Sequence, residues 1–219
     1  MKNLVFLMVS ISILTLGLIG CHYDRPLRRE LLKIWNEDQD SRSEWNEIYK
    51  KYGEGSPKVD SIIHVVRQLD SIHLTIITRI LDEKGWVGKD KVGQLGNNTL
   101  FIIIQHSDLK TQQKYLPMMR SALKEGKTQA DWLALLEDRV ALGEGKKQLY
   151  GSHIYWDKIA KRSYVAPLED PDNVDSRRKS VGLEPMAEYL KQWKLSWNVE
   201  EYKKQLPELE KLNPNQASN

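Results

Sequence analysis

The chain reads as mainly α, a single-domain helical array with a small β-hairpin in its C-terminal half. Three observations predict this. Apolar residues recur at helical spacing from Leu27 to about Leu142. Glycine-centred breaks, above all Gly53-Glu54-Gly55-Ser56-Pro57 and Gly143-Glu144-Gly145, cut that pattern into helix-length pieces. Between Gln148 and Leu168 the apolar period falls to two.

Each element follows from its own residues. Leu27, Leu31, Ile34, Trp35, Trp45, Ile48 and Tyr49 make a helix over 27–49. Ile62, Ile63, Val66, Leu69, Ile72, Ile76, Ile77 and Ile80 make a second over 59–84, stopped by Gly85. A loop is expected over 88–93. Residues 94–106 carry the apolar run Leu100–Ile104, which fits a buried helix or, because isoleucine is β-branched, a strand. A helix over 109–124 contains Pro117, which kinks it or starts a new one. Thr128, with Asp131 three residues on, reads as the N-cap of the next helix, which runs to about Leu142. The hairpin is expected from 148–156 and 163–168. Short helices are expected over 174–181 and 185–193, the latter with Pro185 in its first turn. An amphipathic helix or charged tail over 200–212 closes the chain.

The first 21 residues speak about location. A single Lys2 precedes an apolar or small-residue run to Gly20, and Cys21 is the one cysteine in the protein. The arrangement resembles a bacterial lipoprotein signal. In that reading Cys21 is the lipidated residue, carries acyl chains such as palmitate and becomes the new N-terminus. A plain secretory signal shares the basic tip and apolar run, and the run approaches the ~20 residues of a spanning helix. The small residues before a lone cysteine favour cleavage. The expected organisation is a signal peptide over 1–20, a lipidated N-terminus and tether over 21–26, a helical domain over 27–212 and a disordered tail over 213–219. The expected location is the cell envelope, held to an inner or outer membrane through the lipid on Cys21.

Composition narrows the function classes. The net charge is +3 and the charges are interspersed, so no basic tract marks a nucleic-acid partner. No cysteine remains for a disulfide or a thiol nucleophile once Cys21 is lipidated. No phosphate-binding loop, dinucleotide fingerprint, zinc-protease motif or serine-hydrolase elbow is present. His64 and His73 lie on roughly opposed sides of one helix, and His106 and Asp108 diverge if helical. No metal or other cofactor is expected. Seven Trp and nine Tyr against two Phe supply large apolar side chains with a polar handle.

What stands out is a series of compact polar clusters set in apolar pattern. Asp38, Gln39 and Arg42 lie mid-way along the first helix, and Arg42 can reach Asp38 one turn back or Asp138 elsewhere. Gln105, His106 and Asp108 follow the most apolar stretch. Asp138 and Arg139 interrupt Leu133, Leu135 and Leu136. Gln148, Tyr150 and Gly151 open the hairpin, and Arg177 and Arg178 precede Gly182-Leu183. Each cluster also has a structural reading, such as Asp108 capping the following helix.

In order and spacing these clusters resemble a bacterial family of domains of unknown function. The matching patterns are Asp-Gln-x-x-Arg (Asp38, Gln39, Arg42), Gly-Trp (Gly85, Trp86) and Val-Gly (Val92, Gly93). They continue with Gln-His-x-Asp (Gln105, His106, Asp108), Leu-x-Asp-Arg (Leu136, Asp138, Arg139), Gln-x-Tyr-Gly (Gln148, Tyr150, Gly151) and Arg-Arg-x-x-x-Gly-Leu (Arg177, Arg178, Gly182, Leu183). The likeness spans about Trp35 to Tyr189. Two departures are Val87 where Pro often follows Gly-Trp, and Gly151-Ser152-His153 where Gly-Thr-Gln is usual. The resemblance implies that these residues belong together and implies no activity.

Two classes follow. In the first the protein is a membrane-tethered interaction or structural protein, and the clusters are buried hydrogen-bond networks. In the second, Asp38, Arg42, Gln105, His106, Asp138, Arg139, Gln148, Tyr150 and Arg178 line one pocket for a small polar or anionic ligand. Arginines would hold carboxylate or phosphate there. His106, with Asp108 or Asp138, would serve a metal-independent hydrolysis as general base. The two separate on one observation, whether those side chains line a single cleft or are locked pairwise beneath the surface.

Overall fold

The computed structural model describes residues 23–157 and 159–212. The expected signal peptide, Cys21 and the tail over 213–219 lie outside the described residues. Those described form eight helices, two single-turn 3-10 segments and one two-stranded antiparallel hairpin in the C-terminal half. The mainly α expectation therefore holds.

Two long antiparallel helices begin the fold, α1 (Arg25–Tyr52) and α2 (Pro57–Lys84). Asp24 caps α1 by accepting from the Leu27 N–H, and Ser56 caps α2 ahead of Pro57. Gly53 and Gly85 end them, both in the left-handed φ range that glycine adopts without a Cβ penalty. Then α3 (Lys89–Gln105) lies against α1. Close approach is built in: a Cβ on Gly96 would lie 3.5 Å from Leu31, and Thr99 Oγ1 donates to the Leu31 carbonyl at 3.1 Å. The loop expected over 88–93 is instead one helical turn that breaks at Gly93, where φ is +75°. The apolar run Leu100–Ile104 is helical, not a strand.

Next come α4 (Leu109–Lys124) and α5 (Ala130–Gly143), which pack on each other. Pro117 neither divides α4 nor begins it; the helix runs through, its turn held by buried Tyr115, Leu116 and Met119. Thr128 is not the cap of α5. The cap position is Gln129, and the Asp131 carboxylate accepts from the adjacent Trp132 N–H instead of reaching back.

The hairpin is β1 (Ile154–Asp157) and β2 (Arg162–Val165), with Ile154 opposite Val165. Its strands are shorter than the alternation predicts, because the outer part is replaced by side-chain bonds. Gln148 Nε2 donates to the His153 and Ala166 carbonyls, and its Oε1 accepts from the His153 N–H. A single bridge joins Gln148 to Leu168. Three short helices finish the chain: α6 (Val174–Ser180), α7 (Met186–Tyr189) and α8 (Val199–Leu209). The single helix expected over 185–193 is α7 followed by a 3-10 turn.

Burial divides into two cores. Leu31, Ile34, Ile77, Ile80, Leu100, Ile104, Met119 and Leu136 centre the first, inside α1–α5. Val165, Leu168, Val174, Met186, Leu190 and Tyr202 centre the second, under the hairpin. Among the described residues no helix is long and apolar enough to cross a membrane.

Candidate functional site

The nine side chains singled out from the sequence divide into two sets. Asp138, Gln148 and Arg178 are committed to the fold, along with the Tyr150 backbone. Asp138 is buried and accepts from the backbone N–H groups of Leu149, Tyr150 and Ser152 and from the Ser152 hydroxyl, all at 2.7–3.2 Å. Burial lifts its carboxyl above the ordinary range, against the pull of those donors. It thereby holds the loop that enters the hairpin. Arg178, 1% exposed, donates to the Tyr150 and Glu184 carbonyls and stacks over the Tyr189 ring. Gln148 locks the hairpin base as described. Asp108 caps α4 by accepting from the Thr111 N–H at 2.8 Å.

Asp38, Arg42, Gln105, His106 and Arg139 form the second set, where α1, α3 and α5 meet. Asp38 has no exposed side-chain surface. Arg42 Nε donates to its Oδ1 at 3.0 Å, and Gln39 Nε2 donates to its Oδ2 at 2.9 Å. His106 Nδ1 lies 3.3 Å from the same Oδ1. Burial works against a charge on Asp38, yet the bonds and charges of His106 and Arg42 outweigh it and hold the carboxyl at about 2. A carboxylate only accepts, so the His106 Nδ1–H donates to it. His106 also borders a cleft of about 240 Å³ with Asp70, Ser71, Leu74, Ile103 and Asp108.

Arg42 does not reach Asp138. Its second partner is Asp70 of α2, at 2.6 Å, a residue the sequence reading did not single out. A signal for it exists. Glu30 with Arg79, Glu37 with His73 and Arg42 with Asp70 sit at nearly equal distances either side of the turn at 53–56. An antiparallel helix pair joined by a short turn brings such positions together.

Arg139 is the anomaly. Its half-buried side chain makes no hydrogen bond or ion pair to any described residue, and its Nε is buried without a partner. Burial lowers its pKa, the Tyr155 phenol opposes that, and Arg42 adds to it through like charge. Nearby, His153 Nε2 lies 3.2 Å from the Leu135 carbonyl. Burial, helped by the Arg139 charge, pushes His153 down to about 3. The ring is therefore neutral near pH 7, and Nε2–H donates to Leu135. Gln105 Nε2 approaches the same carbonyl at 3.5 Å, while its buried Oε1 has no partner. The His153 and Gln105 side chains thus meet at the Leu135 carbonyl. His153 was noticed from sequence only as a departure from the usual glutamine; Tyr155 was not singled out.

The chemistry available is anion recognition beside an acid–base pair. Arg139 offers a partly buried guanidinium with free donors, a fork that suits carboxylate or phosphate. Among the described residues, no group of three or more His, Cys, Asp or Glu is placed to hold a metal ion.

A helical body with a C-terminal hairpin lock and a half-buried, unpaired arginine is what the fold and site define. The chain belongs to a family of unknown function, DUF6624, whose model matches residues 25–200. No curated protein and no solved structure matches it.

Proposed function

We propose that the protein is a lipoprotein of the cell envelope whose helical body binds a small anionic ligand beside Arg139. The first half rests on the run from Lys2 to Cys21, which has the form of a lipidation signal. The second half rests on one observation, the half-buried Arg139 side chain whose buried Nε has no partner. A partly desolvated charge without a counter-ion is unfavourable, and a bound anion lowers that cost while using the free donors. Arg42 adds its positive charge to the field around Arg139, and His153, neutral, does not compete for an anion.

Calorimetric titration of the protein with inorganic phosphate and with succinate tests this. Saturable binding of either anion, weakened at least about tenfold in Arg139→Met, is the expected result; a lost charge-assisted bond is worth roughly 1.5–3 kcal/mol. A proton readout accompanies it. An anion screens the Arg139 charge, so the His153 pKa rises from about 3 on binding. Failure of both anions to bind, or equal binding by Arg139→Met, overturns the reading.

Metal-independent hydrolysis is a second reading, favoured by the Asp38–His106 pair. Asp38 orients the ring through Nδ1–H, and Nε2 of the neutral ring would be the general base. His106→Gln then abolishes turnover of a bound ester and leaves phosphate binding intact.

A further inference from the structure

The N-terminal end of the molecule carries a second feature, unrelated to Arg139. Arg25, Arg28 and Arg29 are three and four residues apart on the first turns of α1 and so share a face. All three are exposed. The Asp24 N–H donates to the Lys91 carbonyl at 2.9 Å, which brings the start of α3 alongside. Arg28 passes over Gly93, where a Cβ would lie 3.2 Å from its Nε. Exposed Lys89 therefore joins the same end. None of these four cations pairs with any described carboxylate. Two exposed apolar side chains flank them, Tyr23 (42%), whose ring lies under Arg28 at 5.1 Å, and Leu95 (46%).

The chain says what covers this surface. Cys21 is two residues before Tyr23, and two residues span at most about 7 Å. A lipid on Cys21 therefore enters its membrane beside these cations. One acyl signal plus a basic patch is a known physical route to stable attachment, and interfacial tyrosine suits headgroup depth.

We propose that the face formed by Tyr23, Arg25, Arg28, Arg29, Lys89 and Leu95 lies flat against an anionic leaflet, fixing the long axis of α1 away from the membrane. This rests on lipidation at Cys21. With the N-terminal end down, the turn at 53–56 stands roughly 40 Å out, the length of a 28-residue helix.

The test uses the mature protein in vesicles of phosphatidylcholine, with and without phosphatidylglycerol. Single cysteines are introduced by Leu95→Cys or Tyr49→Cys and labelled, and energy transfer to a headgroup dye is read. The expected result is strong transfer from position 95 and weak transfer from position 49, only when phosphatidylglycerol is present. Arg25→Gln, Arg28→Gln and Arg29→Gln together lower the ratio of apposed to detached protein about 100-fold, as does high salt. Equal transfer from both positions, or transfer indifferent to the three substitutions, overturns the proposal. Intact mass reads acylation separately. An unacylated Cys21 removes the anchoring reading, and the face is then judged by flotation. Flotation with phosphatidylglycerol vesicles that is lost in the triple variant supports it; no flotation overturns it.

Discussion

His153 makes stability depend on pH in a calculable way. Its folded-state pKa is about 3, against an ordinary value near 6.5. A folded pKa that is depressed means the unfolded chain binds the proton first. The ring's contribution is therefore complete above about pH 6.5 and is lost as pH falls below it. Between pH 7 and pH 5 the loss comes to about 2 kcal/mol, and it barely depends on whether the folded value is 3 or 4. Substitution by glutamine removes the titration and keeps an N–H for the Leu135 carbonyl. Urea unfolding of wild type and His153→Gln at pH 7, 6 and 5 reads the difference directly, because the other histidines cancel. The gap between the two proteins should shift by about 2 kcal/mol over that range, the wild type losing more. Parallel curves would refute the reasoning, since the folded ring would then accept a proton as readily as the unfolded one.

Two further predictions concern the hairpin lock. Asp138→Ala leaves the Leu149, Tyr150 and Ser152 N–H groups without their acceptor and should cost on the order of 3–5 kcal/mol in denaturant unfolding. Gly151→Ala places a Cβ 2.8 Å from Met186 Sδ at a φ of +67° and should cost about 1–3 kcal/mol in the same assay. A neutral outcome in either would mean that the loop over 149–152 is not held as described.

How far the fold could be read in advance depended on where the information was local. Pro57 after Ser56, Gly53 and Gly85 mark helix ends by backbone preference alone, and α1 and α2 ended within a few residues of expectation. Thr128 failed as a cap because α5 starts one residue later, after Gln129 with no side-chain cap bond, and Asp131 turned to its own neighbour. The hairpin was placed correctly but drawn too long. Gln148 replaces the outer ladder with side-chain bonds, which no alternation of apolar residues records.

The candidate site was legible as residues and illegible as an arrangement. Polar residues amid leucine and isoleucine drew attention to Asp38, His106, Asp138, Arg139 and Arg178 alike. Nothing in the sequence separates Asp138, saturated by backbone donors, from Arg139 one residue later, which has no partner among the described residues. Consecutive helical positions point about 100° apart, so neighbours in sequence serve different surroundings. The Arg42–Asp70 pair needed the register of two helices, which becomes available only once the turn at 53–56 is fixed.

The central claim is that Arg139 serves a ligand and not the fold. Chemical unfolding of Arg139→Met, beside wild type and without added anion, tests it most directly. With no partner to lose, the account predicts stability unchanged or raised, because a half-buried, unpaired cation is replaced by an apolar chain of similar length. A loss on the order of 3–5 kcal/mol would show that Arg139 is held by the fold, and would contradict the account.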